Sequence, residues 1–550
     1  MAQDVHEERE SNPVSSATGS RAATGAPVEA PDRISLAASH TRTRLPAIAR
    51  ALELPAALIC IAAVMGVIQF SGRAILDNDG PYHIRWATLL RQSFPQLPEF
   101  NALPLTTLDR EHYVDHHYLY HVLLFPFTFG DLRIGAKLAA VVFSALGIGS
   151  VFALLSFYKV RYRWLWLAPL IASSEPFLYR MSMTRAPAMS LMLLGIGSWL
   201  IFNRKFFLLA LMAFAFVWSY SLFPLIFVFG VVYSVTLYLS ERRIDLWAPL
   251  ATGVGIIAGL IINPYFPKNL RLFGEHLMMK VTGEYPIGVG VEWYTYESWY
   301  MLTSSAIAFA VFFFGLIAFE YRDRVRDWRP LFFLIVSVVL LLMSIKSRRF
   351  MEYFPPFAVA FGAFTISPKL ARPGNAWVRT IRDRLIAAMT ASAATVVTAT
   401  ILGMMVLQAR AELKEENFPY AYEGASKYIT EHTAPGAMVF NTNWDTFPSL
   451  FYYNPDRCFV AGLDPSYSYD RDHDLWKLYE SITNGDQENA GKLIREQFGA
   501  EYVVTGNGTS DFLTSADDSG EFERVYEDND AIVLRVRDPG EVQPSKESEQ

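Results

Sequence analysis

The chain has 550 residues, of which 52% are hydrophobic and 14% aromatic, and its mean hydropathy is +0.20. These values exclude an ordinary soluble protein of this length, and the apolar residues gather in runs long enough to cross a bilayer. The formal net charge of -6 decides little, because in a membrane protein the position of each Lys and Arg matters more than their total. With only two cysteines, Cys60 and Cys458, a disulfide framework is also excluded.

Residues 1–48 are predicted to form a disordered cytoplasmic tail. They are rich in Ser, Ala, Thr, Pro and charged residues without apolar periodicity, so they cannot bury enough surface to fold. The apolar run that follows lacks a small-residue cleavage site, which favours a retained helix over a signal peptide. The basic residues before it, Arg42, Arg44 and Arg50, predict a cytoplasmic N-terminus.

The region 49–409 is predicted to be a transmembrane domain, because it contains about 11 apolar runs of roughly 15 to 25 residues, the length of a span. They lie near 52–71, 134–157, 164–179, 187–202, 206–220, 222–240, 246–263, 301–319, 330–345, 350–366 and 385–408. With the N-terminus inside, all the loops that become cytoplasmic are basic. The aromatic segment 117–130 is predicted to be interfacial, because a span there would move the basic residues 159–163 outside. The first outer loop is therefore 72–133.

The region 410–538 predicts a small α/β domain on the outer face of the membrane. Short apolar segments at 437–441, 457–461, 502–505 and 531–536 resemble buried strands, and 422–432, 472–483 and 488–498 have helical apolar spacing. The final segment, 539–550, is polar and predicted to be disordered. The expected fold class is thus a polytopic α-helical membrane protein with a C-terminal α/β outer domain.

A short polar stretch that follows the first span contains Asp77, Asp79, His83 and Arg85. Ionisable groups near a bilayer are costly and usually line a polar cavity, so this stretch is interpreted as the rim of an active site. The alternative is ordinary turn chemistry, because the intervening Asn, Gly and Pro supply the backbone angles that a chain needs on leaving a helix.

Other outer loops carry further charged candidates. Glu175 and Arg185 lie in one loop, Glu292 lies in a loop rich in Trp and Tyr, and Arg348 and Arg349 form a basic cluster between two closely spaced spans. Such a cluster on the outer side departs from the positive-inside rule. Because guanidinium groups match phosphate oxygens, the two arginines predict an anion site, whereas the neighbouring Lys346 is explained equally well by snorkelling.

Four histidines, His112, His116, His117 and His121, also stand in the first outer loop. His117 and His121 are one helical turn apart, a spacing that two ligands of one metal ion can have. An interfacial aromatic helix explains the same residues, and the sequence leaves both interpretations open.

The pattern of Asp77, Asp79, Tyr82, His83 and Arg85 resembles the first outer loop of GT-C glycosyltransferases, particularly the oligosaccharyltransferase catalytic subunits. Later motifs occur in the order found in poorly characterised bacterial membrane proteins of that superfamily: Arg185-Ala186-Pro187, Trp218 to Pro224, Asn263 to Pro267, Glu292-Trp293 and Arg348-Arg349-Phe350. Trp444-Asp445 only partly matches the Trp-Trp-Asp-Tyr-Gly element that reads the acceptor sequon in oligosaccharyltransferases. Protein N-glycosylation therefore does not follow from the resemblance.

The resemblance implies a glycosyltransferase that uses a polyprenyl phosphate or diphosphate sugar donor at the outer face of the cytoplasmic membrane. The catalytic residues that it implies are Asp77, Asp79, Glu175 and Glu292. Its donor-phosphate residues are Arg348, Arg349, Arg85, His83 and Arg185, and its acceptor-binding residues are Trp444 and Asp445. Asp77 and Asp79 either hold Mg²⁺ or Mn²⁺, which prefer hard oxygen ligands, or one of them acts as a general base. The expected partners are membrane lipids and an acceptor that the sequence does not identify, but no nucleic acid.

Two other classes of function stay open. The chain could be a transporter or flippase for a lipid-linked or polymeric substrate, or a non-catalytic membrane scaffold. Transporters tend to place ionisable residues near the membrane midplane, whereas here the acids fall in loops and the spans are nearly free of charge.

Overall fold

The computed structural model of the chain describes residues 52–274, 287–370, 381–415, 418–508, 510–538 and 540. The described residues from Glu53 onward belong to one compact unit. The predicted tails lie outside the described residues, apart from residue 540.

The apolar runs form helices, as expected where lipid offers the backbone no hydrogen-bond partners. The longer helices of this part of the chain are Leu52–Gln69, Leu132–Phe157, Pro187–Phe202, Phe206–Val217, Pro224–Glu241, Trp247–Ile261, Ala306–Ala318, Arg329–Lys346, Phe354–Leu370 and Ile381–Glu415. Shorter helices cover Gly80–Ser93, Tyr118–Leu123, Arg163–Ile171, Glu175–Ser182 and Ser298–Ser304. Single 3-10 turns lie at Phe125–Phe127, Val291–Trp293, Tyr321–Val325 and Arg348–Glu352.

Among the described residues, four helices are long and apolar enough to cross a membrane: Leu52–Gln69, Leu132–Phe157, Pro224–Glu241 and Arg329–Lys346. Two bent pairs raise this to six if each pair is one span: Glu175–Ser182 with Pro187–Phe202, bent by 106°, and Ser298–Ser304 with Ala306–Ala318, bent by 82°. The chain is therefore a multi-pass membrane protein, but the predicted eleven spans are not confirmed. Several predicted runs break at polar or proline residues or form helices shorter than a span.

Small residues let the membrane helices approach closely. At Gly255, in helix Trp247–Ile261, an added Cβ would lie 2.2 Å from the carbonyl oxygen of Ala210, in helix Phe206–Val217. Only glycine permits that approach, a common feature of helix packing in membranes. The segment predicted to be interfacial forms only the six-residue helix Tyr118–Leu123 and a 3-10 turn, both too short to span a bilayer.

The C-terminal region folds into the expected small α/β domain. Its five strands are β1 (Met438–Asn441), β2 (Cys458–Phe459), β3 (Ala500–Gly506), β4 (Phe522–Glu527) and β5 (Ala531–Val536), in the order β2-β1-β3-β5-β4. β1 pairs in parallel with β2 and β3, and β5 pairs antiparallel with β3 and β4. Its helices are Glu423–His432, Phe447–Tyr453, Pro465–Arg471, His473–Thr483, Ala490–Phe498 and Asp511–Ser519.

This domain packs directly on the first polar loop of the helical part. The rings of Tyr82, in helix Gly80–Ser93, and Phe451, in helix Phe447–Tyr453, lie 5.5 Å apart. The guanidinium of Arg85 stacks 5.1 Å from the ring centroid of Tyr452 on the same two helices. These contacts place the end of β1 beside the loops that connect the membrane helices, and a polar cavity lies between them.

Candidate active site

A cavity of about 500 Å³ lies where four loop regions meet. The first loop contributes its acidic rim and its histidines, and the C-terminal domain contributes the turn after β1. The charged and imidazole side chains of its lining are Asp77, Asp79, His83, Asp115, His116, His117, Arg180, Arg185, Glu292, Arg348, Arg349, Asp445 and Asp464. The structure thus brings together most of the residues that the sequence predicted for the site.

The carboxylates of Asp77 and Asp79 both face Arg185, although the backbone of this stretch has the conformation of a turn. Asp77 has a φ of 81°, in the left-handed region that L-residues enter at a cost of about 1 to 2 kcal/mol. Asp79 occupies the N-cap position of helix Gly80–Ser93, yet its carboxylate does not cap the helix. Its Oδ2 instead lies 2.9 Å from Nη2 of Arg185. The carboxylates are therefore directed into the site, as strained functional residues often are.

Glu292 is the centre of the charge cluster. Its Oε2 accepts from Nη1 of Arg180 at 2.7 Å and lies 3.7 Å from Nη1 of Arg185, and its Oε1 lies 3.2 Å from Nη1 of Arg349. Arg180 is held on its other side by the buried Glu352, whose Oε1 accepts from Nε at 2.8 Å. Glu292 thus orders three arginines that would otherwise repel one another.

Burial and these neighbours shift the acidic groups in opposite directions. Burial raises the pKa of Asp77 to about 7, although Arg185 opposes this. Burial also raises the pKa of Asp79, again against Arg185. For Glu292, burial would raise the pKa, but Arg349, Arg185 and Arg180 together hold it well below its usual range. Glu292 is therefore a fixed anion, whereas Asp77 can exchange a proton near neutral pH.

The two adjacent arginines differ in how they are held. Arg349 is buried, donates through Nε and Nη2 to the hydroxyl of Tyr220 at 3.1 and 3.0 Å, and lies over the ring of Trp293. Arg348 is half-buried and donates through Nε to the carbonyl oxygen of Thr295 at 3.1 Å. Within the described part of the chain Arg348 makes no ion pair, so most of its N–H donors remain available in the cavity.

Two predicted site residues lie away from the cavity lining. Glu175 accepts hydrogen bonds from Tyr300 at 3.2 Å and from Gln408 at 2.8 Å. Arg85 donates to the backbone carbonyl of Tyr452, in the C-terminal domain. The structure therefore does not bring Glu175 and Arg85 together with the other candidates.

The C-terminal domain closes one side of the cavity with Trp444 and Asp445. Asn78 donates from Nδ2 to Oδ1 of Asp445 at 2.7 Å and also to the backbone oxygen of Asp445. Burial, together with the charge of Asp79, raises the pKa of Asp445 to about 6. The acidic rim of the first loop is thus tied directly to the turn after β1.

In the part of the chain that the structure describes, the two aspartates are paired with an arginine and are not grouped with a third metal-ligating side chain. A divalent cation needs several oxygen ligands, but among the residues that the structure describes no three His, Cys, Asp or Glu side chains are grouped to hold one. Arg185 contacts both Asp77 and Asp79, at 3.4 and 2.9 Å, and already balances their charge. The four histidines of the first loop are likewise not part of any described group of three or more potential metal-ligating side chains. A requirement for Mg²⁺ or Mn²⁺ remains a prediction for experiment.

A second, apolar cavity of about 360 Å³ adjoins the polar one. The two share Val114, Asp115, His116 and Ser221 as lining residues. The apolar cavity is otherwise lined mostly by side chains of the membrane helices and by Leu272 and Phe273. A polar cavity beside an apolar one suits an amphipathic ligand.

Sequence reasoning did not select Arg180, Glu352, Tyr220 or Asp115 as site residues. Arg180 and Glu352 are charged yet lie within or beside apolar segments, and such residues usually have a function. Tyr220 and Asp115 gave no comparable signal, because their roles depend on partners far away in the sequence.

No known protein family matches the chain in sequence, and no curated protein matches it either. Solved structures do match. The archaeal oligosaccharyltransferase AglB from Archaeoglobus fulgidus, in complex with an inhibitory peptide and a dolichol-phosphate, is 13% identical with a TM-score of 0.56, over 83% of this chain and 70% of that one. ArnT from Cupriavidus metallidurans, bound to undecaprenyl phosphate, is 13% identical with a TM-score of 0.53, over 90% of this chain and 100% of that one. The chain has the fold of these GT-C glycosyltransferases.

Proposed function

We propose that this protein is a GT-C-type glycosyltransferase that moves a sugar or oligosaccharide from a polyprenyl phosphate or diphosphate donor to an acceptor. The observation that carries the proposal is the pair of adjoining cavities, one charged and one apolar, in a GT-C fold. A polyprenyl-linked sugar has the same two parts, a charged head and a hydrocarbon chain.

The donor phosphate is assigned to Arg348, with Arg349 behind it. Arg348 lines the polar cavity without an ion pair among the described residues, and a guanidinium group can hold phosphate oxygens with two parallel hydrogen bonds. Arg349 is engaged by Glu292 and Tyr220, so it contributes positive charge more than free donors. AglB was solved with a dolichol-phosphate and ArnT with undecaprenyl phosphate, which supports a lipid of this class.

The carboxylates of Asp77 and Asp79 are proposed to lie beside the anomeric carbon of the donor sugar and the incoming acceptor. Cleavage of a glycosidic bond builds positive charge at the anomeric carbon, and a carboxylate fixed beside that carbon lowers the barrier electrostatically. Arg185 fixes both carboxylates, and Trp444 with Asp445 lines the same cavity beside them, where an acceptor would enter.

Donor binding tests the proposal. The purified protein in nanodiscs is titrated with undecaprenyl phosphate and undecaprenyl diphosphate, as wild type and as Arg348→Ala. We expect saturable binding by the wild type that weakens by about 10- to 100-fold in Arg348→Ala, because a charge-assisted hydrogen bond contributes about 1.5 to 3 kcal/mol. The phosphate and diphosphate arms distinguish the two donor classes.

The matched control is Arg110→Ala. Arg110 is an exposed arginine of the first loop that pairs with Glu99 outside the cavity lining, so its loss should leave binding unchanged. If the wild type binds neither lipid, the proposed donor is wrong. If both variants weaken binding equally, the effect is one of general charge and the assignment of Arg348 fails.

The proposed location is the cytoplasmic membrane, with the N-terminus inside and the C-terminal domain outside. This orientation is supported by the basic composition of the loops that would be cytoplasmic. Alkaline phosphatase, which is active only outside the cytoplasm, should be active in cells when it is fused after the C-terminal domain. If that fusion is inactive and a reporter that fluoresces only in the cytoplasm is bright at the same position, the proposed orientation is wrong.

A transporter is the second candidate, because the two bent helix pairs resemble the discontinuous helices of transporters. The two functions differ in product. Reconstituted vesicles that move a labelled lipid-linked sugar across the bilayer, without consuming its glycosyl bond, would favour the transporter.

A further inference from the structure

A chain of hydrogen bonds leads from a buried carboxylate to the wall of the polar cavity. Oδ2 of Asp115 lies 2.7 Å from Nδ1 of His121, and Nε2 of His121 lies 2.8 Å from Nδ1 of His83. All three residues, which together form a relay, are buried, with 4%, 0% and 4% of their surface exposed, respectively. His83 lines the polar cavity beside its first-loop rim, Asp115 lines it where the apolar cavity adjoins, and His121 lies between them outside both linings.

The hydrogen bonds around Asp115 fix the direction of the relay. Asp115 accepts from Nε1 of Trp86 at 3.0 Å and from the backbone N–H of His117 at 2.9 Å, in addition to its contact with His121. A carboxyl group surrounded by donors is ionised and acts only as an acceptor, so Nδ1 of His121 carries a hydrogen. In neutral His121, Nε2 then accepts from Nδ1–H of His83.

It follows that neutral His83 has its lone pair on Nε2. A ring in this tautomer accepts a hydrogen bond at Nε2 and cannot donate one there. This makes neutral His83 a poor ligand for the oxygens of an anionic phosphate, the role that the sequence suggested for it. It is well suited to take a proton from a hydroxyl group.

We propose that His83 is the proton acceptor of the transfer reaction, with His121 and Asp115 as the residues that position and stabilise it. The inference rests on the proposed glycosyltransferase function. As the acceptor hydroxyl oxygen bonds to the anomeric carbon, the carbon–oxygen bond to the donor phosphate breaks and its electron pair leaves with the phosphate. The hydroxyl proton moves to Nε2 of His83. His121 and Asp115 share the resulting positive charge through their hydrogen bonds, so no external co-reactant is needed.

The surroundings of His83 explain why it needs the buried carboxylate. Burial lowers the pKa of His83 well below its usual range, and His121, Arg185 and His116 lower it further. The titratable and charged groups that face His83 are His116, His117, His121, Arg185, Tyr82 and Tyr120, with Asp79 one helical turn before it. Several of these oppose a positive charge on the ring. The carboxylate of Asp115 stabilises a positive charge on the His83 ring through the hydrogen bonds of His121.

Turnover of undecaprenyl phosphate carrying a radiolabelled hexose, with a soluble alkyl glucoside supplying the acceptor hydroxyl, tests the relay. We expect His83→Gln to lower kcat by about 10²- to 10⁴-fold, the usual contribution of a general base, while KM for the donor stays unchanged. Free imidazole should restore part of the rate in His83→Ala. Asp115→Asn should lower kcat and move the acidic limb of the pH profile, which a purely structural residue would not do.

His112→Gln is the matched control. His112 lies 2.7 Å from Asp109 in the same loop, a carboxylate–histidine contact of the same length, but it is exposed and lies outside the cavity lining. Its kcat and pH profile should equal those of the wild type. Unchanged kcat in His83→Gln, or equal losses in His83→Gln and His112→Gln, would overturn the proposal.

A second measurement does not depend on activity. In the full-length protein labelled with ¹⁵N-histidine, the signals lost in His83→Gln and His121→Gln identify the two rings, and their shifts report the tautomer. Both should carry hydrogen on Nδ1, and hydrogen on Nε2 of neutral His83 would overturn the relay. If the wild type turns over no polyprenyl-linked sugar, the glycosyltransferase function fails, while the tautomers still decide the relay.

Discussion

Replacing Glu292 by Gln tests whether this residue orders the site or reacts in it. The substitution keeps the size of the side chain and removes its charge. In the structure, Glu292 contacts Arg180, Arg185 and Arg349 at 2.7, 3.7 and 3.2 Å. Because its pKa is held well below the usual range by those arginines, against the effect of burial, it is an anion at every physiological pH and a poor base. We therefore expect Glu292→Gln to act first on stability and donor binding.

The size of the effect depends on which acidic partners each arginine still has after Glu292→Gln. Arg180 retains Glu352 at 2.8 Å, and Arg185 retains Asp79 at 2.9 Å. Arg349 loses the carboxylate that it contacts; among the described residues it keeps direct contacts with the hydroxyl of Tyr220 and the face of Trp293, and the charge of Glu352 acts on it without an ion pair. Leaving one buried cation without its partner costs about 3 to 5 kcal/mol. The free energy of unfolding should fall by roughly this amount.

The assay is unfolding of the detergent-solubilised protein by heat or denaturant, combined with the binding of undecaprenyl phosphate. Glu99→Gln is the control, because Glu99 pairs with Arg110 at the surface, where both side chains are more than half exposed. Such a pair contributes about 0 to 1 kcal/mol. If Glu292→Gln is as stable as Glu99→Gln but has lost turnover, Glu292 is a reacting group and its assignment as an ordering anion is wrong.

Three further predictions concern the same cavity. Asp77→Asn should flatten the pH dependence of the free energy of unfolding. Burial raises the pKa of Asp77 to about 7, so between about pH 4 and 7 the folded protein holds a proton that the unfolded chain has lost, and the stability of the wild type should fall as pH rises through this window. An identical slope in the wild type and in Asp77→Asn would contradict this. Tyr220→Phe removes an acceptor from buried Arg349 and should lower the free energy of unfolding by about 1.5 to 3 kcal/mol, measured by denaturant titration. Asn78→Ala removes the contact with Asp445. In hydrogen–deuterium exchange measured by mass spectrometry, the amide hydrogens of the turn Trp444–Thr446 should then exchange faster than in the wild type, while those of β5 stay protected.

Local signals predicted many elements correctly because they depend on neighbouring residues only. The apolar runs near 134–157, 187–202 and 330–345 form helices Leu132–Phe157, Pro187–Phe202 and Arg329–Lys346, since length and hydropathy alone favour them. Breaks were harder to predict. The run near 301–319 bends by 82°, and helix Glu175–Ser182 meets its successor at 106°.

For the site, the sequence by itself determined the acidic rim at Asp77 and Asp79 and the arginines at 348 and 349, because charge beside an apolar run is costly and therefore visible. Only the tertiary structure decided that Glu292 is shared by three arginines and that Asp115, His121 and His83 form one hydrogen-bonded chain. The ion pairs of Glu292 join residues that are 57 to 112 positions away in the chain, and His83 and His121 are 38 positions apart. Periodicity and local motifs report only on neighbours along the sequence, whereas a carboxylate becomes a fixed anion, or a histidine a base, through the groups that folding packs against it.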